Sequence, residues 1–181
     1  MGGSATDSRL IQIASGPSPA TITDALALLQ RIDDLLPNSD GLKWFNLLNM
    51  KVTQQVDSNP PPGGWEDPAW LRRLDVVFAQ FYFTAISNWL NNAANVPASW
   101  KALFEARFQS SIERIQFALA GMNAHINHDL ALVLLQTDTE LNLVPGTSSP
   151  EHDDFEHVNA RPLTVQDQIT GVLGRSLLLA V

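Results

Sequence analysis

The chain has no cysteine in its 181 residues. Disulfides, thiolate nucleophiles and cysteine-ligated zinc are thereby excluded, although the absence selects no compartment. Charge is sparse as well. Charged side chains make up 17% of the sequence, below the roughly 25% of an ordinary soluble domain. The charge that is present leans acidic, with a formal net of −8 and no basic run. Nucleic acid and anionic membrane surfaces are therefore not expected partners, because both are held mainly by clustered Lys and Arg. No apolar run approaches the ~20 residues of a membrane span. The N-terminus lacks a basic stretch followed by an apolar core. Neither a span nor a secretory leader is expected, and the expected location is cytoplasmic. There is no glycine-rich phosphate loop, no His-Glu-x-x-His and no Gly-x-Ser-x-Gly.

What is present is a chain that is 45% apolar and long enough for one domain with a sizeable core. Residues 1–20 hold Gly, Ser and Pro with little periodicity and read as a flexible arm. Residues 21–181 read as one all-helical domain. A helix is expected from about Ile22 to Leu36, with Thr21 as N-cap and Asp24 in the first turn. Pro37–Asp40 ends it, and the next helix runs from about Gly41 to Val56. Asn59–Gly64, rich in Pro and Gly, is a firm break. Asp67-Pro68 opens a third helix with a carboxylate at the N-cap and Pro at the first helical position; it runs to about Leu90. From Pro97 a helical pattern continues to about Gln136. A break is expected at Ser110-Ser111, where Ser110 and Glu113 have capping-box spacing, and Gly121 is a second candidate bend. A short helix is expected over Glu151–Asn159, and a last one from Val165 to Leu179 capped by Thr164. No segment alternates like a strand. The pattern predicts an all-α fold, a single bundle of about six or seven helices around a buried central helix.

The central segment is the most informative. Phe117–Leu135 carries apolar side chains all round the helix, which predicts burial. Yet it also carries Asn123, His125, Asn127, His128 and Asp129. Burying such groups unpaired costs roughly 2–7 kcal/mol each, so they must bond one another, neighbouring helices, an ion or a ligand. His125 and Asp129 are four apart and share a face. They could hold one divalent metal, such as zinc, or form a charge-assisted hydrogen bond. Asn123 and Asn127 make a second pair on another face, and His128 points between the two.

Two further places offer chemistry. Asp75 sits among Leu71, Phe78, Ala79 and Tyr82 at helical spacing, so a carboxylate is centred on an apolar stripe. Its partner is either Arg72, three residues back, or a metal or His125 across the core. Asp154 and His157 are three apart in the expected short helix and could face inward together. The expected catalytic set is His125, Asp129 and Asp75, which are also the expected metal ligands. Asn123, Asn127, His128, Tyr82, Asp154 and His157 are the expected substrate contacts. A buried network that only fixes helix packing is the competing reading.

Several runs occur in an order that resembles a known family. They are Asp40-Gly41-Leu42-Lys43-Trp44-Phe45-Asn46, Val52–Val56, Leu74–Ala79 with Tyr82, Ala120–Leu130, and Asp154–Asn159. Together they resemble an uncharacterised family of bacterial and fungal proteins catalogued only as a domain of unknown function. The resemblance spans about Ile22 to Leu178 and implies an all-helical domain with no established reaction. Asn49 departs from it, standing where that family usually has an apolar or aromatic residue. His125, Asp129 and Asp75 are also similar to half of the site of helical zinc phospholipases C and related nucleases, whose second His-x-x-x-Glu or His-x-x-x-Asp helix has no counterpart here.

These readings lead to a small-molecule enzyme with a polar site inside a helical bundle, either a metal-dependent hydrolase or lyase, or a metal-free cyclase or isomerase of secondary metabolism acting on an apolar substrate. A non-catalytic interaction domain is the remaining alternative. The apolar stretch Leu177–Val181 is expected to pack against a partner, with a homo-oligomer as one outcome.

Overall fold

The computed structural model describes residues 5–144 and 146–159. The described residues contain helices and connecting turns and no strand. The helices are α1 (Ala5–Ala14), α2 (Ile22–Leu35), α3 (Leu42–Ser58), α4 (Pro68–Leu90), α5 (Ala98–Ala106), α6 (Arg114–Ala124), α7 (Leu130–Leu141) and α8 (Pro150–Asn159). A π-helical turn, His125–Asp129, joins α6 to α7. The three pieces make one continuous rod, about 40 Å long at the usual helical rise. It is the central element of the bundle: α6 packs on α3 and α5, and α7 packs on α4. The helix expected over Val165–Leu179 lies outside the described residues.

Local signals set the boundaries. Thr21 and Asp24 close a capping box: Thr21 Oγ1 accepts from the Asp24 amide at 3.1 Å, and Asp24 Oδ2 accepts from the Thr21 amide at 3.0 Å. Asp67 Oδ1 accepts from the amides of Ala69 and Trp70, with Pro68 beginning α4 where its missing N–H costs nothing. The break before α6 lies where it was expected but is capped differently. Glu113 and Gln116 form the capping box, not Ser110 and Glu113. Gly121, the second candidate bend, lies inside α6, which continues through it. Its lack of a side chain makes room for the Phe45 ring, which a Cβ there would overlap.

Two other expectations need correction. Residues 1–20 are not simply an arm, because they contain α1, and its Leu10 is fully buried in the main core. The Gly, Ser and Pro around it mask a short helical spacing at Leu10, Ile13 and Ala14. The rod is also not buried all round. Leu119, Ile126, Leu132 and Leu135 are exposed on it.

The core has two parts. The larger joins α1 to α6 around Leu29, Phe45, Tyr82, Ile86, Trp100 and Phe117. The smaller joins Val56 of α3, Trp70, Leu71, Leu74 and Val77 of α4, and Val133 of α7. Phe45 near the start of α3 meets Tyr82 far along α4, whereas Val56 near its end meets the start of α4; the two helices therefore run antiparallel. A buried ion cluster ties the loops together. Arg107 Nε donates to both Asp40 oxygens at 3.0 and 3.1 Å, its Nη2 pairs with Asp40, and it reaches Asp7 of α1 at 3.2 Å. Asp40 Oδ1 also accepts from the Leu42 amide at 3.0 Å. The run Asp40–Asn46 is thus largely architectural: Asp40 caps and pairs, Gly41 admits the Phe117 ring, and Asn46 Nδ2 donates to the Leu29 carbonyl at 2.9 Å.

Gly121→Ala is expected to destabilise the fold by about 1–3 kcal/mol, because overpacking against Phe45 outweighs the helix propensity gained by Ala. Urea unfolding of the variant beside wild type measures this, and a stabilised variant would mean that the ring yields freely.

Candidate active site

The π turn carries the candidate site. An ordinary α-helix would continue its 3.6-residue winding, whereas one wide turn absorbs an extra residue and re-aims the side chains around it. Here it sends His125 and Asp129 inward, 4% and 2% exposed, while His128 stays at the surface. The Asp129 carboxylate receives three nitrogen partners. Trp100 Nε1 of α5 donates to Oδ2 at 2.9 Å, His125 Nδ1 lies 3.0 Å from the same oxygen, and His128 Nδ1 lies 2.8 Å from Oδ1.

Electrostatics fixes the protonation states. Burial pushes the Asp129 carboxyl up, but the hydrogen bonds from His125, His128 and Trp100 outweigh it and hold it below the usual range. An ionised carboxylate only accepts, so His125 Nδ1 carries the proton it shares with Asp129. Burial pushes His125 below its ordinary value, and the bond to Asp129 only partly offsets this. The imidazole is thus neutral, with Nε2 as a bare lone pair. Nε2 is buried and has no hydrogen-bond partner.

Aromatic rings enclose this imidazole. Phe78 stacks on it at 3.6 Å between centroids, and Phe45 and Trp100 stand edge-on at 5.5 and 5.8 Å. Tyr82 lies at 6.4 Å, and its hydroxyl is also buried without a partner. In that dry setting the neighbouring Asp40 charge adds to burial in pushing the phenol well above its ordinary value.

Asp75 lies one turn before Phe78 on α4, about 4.5 Å along the axis. Neither of its expected pairings is made: no hydrogen bond or ion pair joins it to Arg72, His125 or Asp129. It is partly buried, and its Oδ2 is shut from solvent without a partner. Burial, with the nearby Asp57 charge, pushes its carboxyl up to about 7.

The remaining expected contacts lie elsewhere. Asn123 and Asn127 are exposed and bond each other at 2.6 Å. Asp154 is fully buried, but its two oxygens accept from the amides of Glu66 and Asp67 at 2.8 Å, tying α8 to the start of α4. That is roughly 16 Å along α4 from the ring that stacks on His125. His157 is exposed and bonds only its own helix, at the Asp153 carbonyl. Among the described residues no three His, Asp or Glu converge as a metal site. Trp100, Phe45 and Phe78 were not among the expected site residues. The signal for Trp100 is general, since a buried indole N–H needs an acceptor and Asp129 supplies it.

Set beside known families, residues 22–179 match the model of a family of unknown function, DUF5995. The chain belongs to that family. No curated protein and no solved structure matches it. The family brings no reaction, so the chemistry rests on the site itself.

Two of the shifted groups, Asp75 and His125, link stability to pH with opposite signs. Asp75 has a folded value of about 7 against an ordinary 3.8. Between those values the folded chain holds a proton that the unfolded chain lacks, so this contribution falls as pH rises from about 4 to about 7. His125 is depressed, so its contribution is complete above about 6.5 and is lost as pH falls below it. Asp75→Asn is therefore expected to stabilise the protein by about 1–3 kcal/mol at pH 8, and hardly at all at pH 4. Denaturant midpoints at the two pH values measure this, and a loss of stability at pH 8 would show that the charged carboxylate has a favourable partner.

Proposed function

We propose that the protein is an acid–base enzyme that isomerises a small, largely apolar molecule by proton transfer. The observation that carries this reading is the bare, buried Nε2 of an imidazole whose other nitrogen is held by a carboxylate. Such a pair is the usual form of a general base: Asp129 fixes the tautomer and stabilises the imidazolium that forms when Nε2 takes a proton. Asp75 supports the reading from the acid side. A carboxyl pushed up to about 7 is part-protonated at neutral pH, so burial inverts the customary states of the two groups and gives one base and one acid. The rings of Phe45, Phe78, Tyr82 and Trp100 suit an apolar substrate, and the Tyr82 hydroxyl suits one polar group on it.

The test is proton exchange. The protein is incubated in D2O with a panel of small carbonyl compounds bearing an acidic C–H, and deuterium uptake is followed by mass spectrometry. His125→Gln is expected to slow any catalysed exchange by roughly 10²–10⁴-fold, and Asp75→Asn, which removes the acid, to slow it as well. Equal exchange by wild type and His125→Gln across the panel would contradict the reading.

A second reading has its own observation. The imidazole is packed by four rings and is only 4% exposed, which suits a structural network. Under that reading His125→Gln strands Asp129 from one donor and costs about 1–3 kcal/mol of stability, with no exchange activity to lose.

A further inference from the structure

Three buried polar atoms lie around one aromatic stack, and none has a hydrogen-bond partner among the described residues. Two are His125 Nε2 and Asp75 Oδ2. The third is Asn49 Nδ2 of α3, shut from solvent on a half-buried side chain. Folded proteins leave few such atoms, and each one points to something that it binds.

The helix registers bring Asn49 to the other two. Gly41 meets the Phe117 ring, and four residues further along both segments Phe45 meets Gly121, so α3 and α6 run parallel. Four residues further again are Asn49 and His125, which therefore stand at one level. The 5.5 Å between the Phe45 and His125 rings agrees with this register. On the α4 side, Phe45 meets Tyr82, while Val56 packs with Leu71 and Leu74. Asn49 falls between those contacts along α3, and Asp75 and Phe78 fall between them along α4. Asn49 thus enters the layer of the Phe78–His125 stack from α3. Asp75, three residues before Phe78, enters it from α4.

The unmet demands name a ligand group. An amide N–H needs an acceptor, and a bare imidazole nitrogen needs a donor. One hydroxyl meets both, whereas a carbonyl oxygen would meet only the first. The Asp75 carboxyl can serve the same hydroxyl as acceptor or, when protonated, as donor. We propose that Asn49 is the specificity-determining residue of this site, and that Asn49 and His125 together take the hydroxyl of a small apolar alcohol or enol. The inference rests on the reading above for the apolar character of the substrate, and adds the group that it carries. An enol is also the form through which a carbonyl compound exchanges its C–H.

Phenol and toluene are the probes, because they are nearly the same shape and only one bears a hydroxyl. Full-length 15N-labelled protein is titrated with each, and Kd is read from the shifts of its amide signals. Wild type is expected to prefer phenol by roughly 10-fold or more. Phenol is also expected to shift the His125 Nε2 signal, which toluene leaves in place. Asn49→Leu is expected to remove most of the preference; Asn49→Met serves should leucine impair folding. Equal affinity for the two probes in wild type, or binding of neither, would overturn the proposal. An unchanged preference in the Asn49 variant would overturn it too, by placing the hydroxyl elsewhere. Deuterium exchange enters none of these readouts, so failure of the isomerase reading and failure of this one are told apart.

Discussion

A single buried carboxylate organises the centre of this molecule. Asp129 is almost wholly removed from water, and such a charge is tolerable only if it is fully solvated by the protein. Three N–H groups do this, from Trp100, His125 and His128. Each bond has a structural consequence. The indole ties α5 to the rod, the first imidazole is held against the rings of α3 and α4, and the second carries the network to the surface. The π turn is the backbone's answer to the same demand, because it lets residues 125, 128 and 129 meet at one carboxylate.

The same arrangement creates an asymmetry. Asp129 engages one nitrogen of His125 and leaves the other nitrogen bare in an apolar box. Asp75 has the opposite problem. It is a carboxylate with one oxygen buried and no donor to receive, so it keeps its proton to unusually high pH. A fold optimised only for stability would gain by replacing both groups with apolar ones. Both lie within one helical turn of a member of the same stacked pair, Phe78 and His125, and the proposed chemistry rests on that arrangement.

Much of the fold was legible in the sequence. Thr21 with Asp24, and Asp67 with Pro68, marked helix starts through local hydrogen bonding that needs no knowledge of tertiary contacts. The burial of His125 and Asp129 followed from apolar neighbours on all sides. The same pattern misled on the outer face, because residues such as Leu119 and Leu135 report that something covers them, not what. Helix α1 was hidden for a different reason. Its ten residues are held by long-range contacts, Leu10 in the core and Asp7 at Arg107, and local periodicity carries little of that. The placement of Asp154 was equally beyond reach, since its partners are amides 88 and 87 residues away. Trp100 as the third donor needed the fold itself.

The centre of the molecule depends on the state of one imidazole, and nitrogen NMR of the His125 ring reads it directly. With 15N-labelled full-length protein, long-range ring correlations assign the tautomer and its titration. The expected result is a neutral ring at pH 7, protonated at Nδ1 and bare at Nε2, that stays neutral to a pH below the ordinary histidine value. A ring that is doubly protonated at pH 7, or neutral with its proton on Nε2, would contradict it.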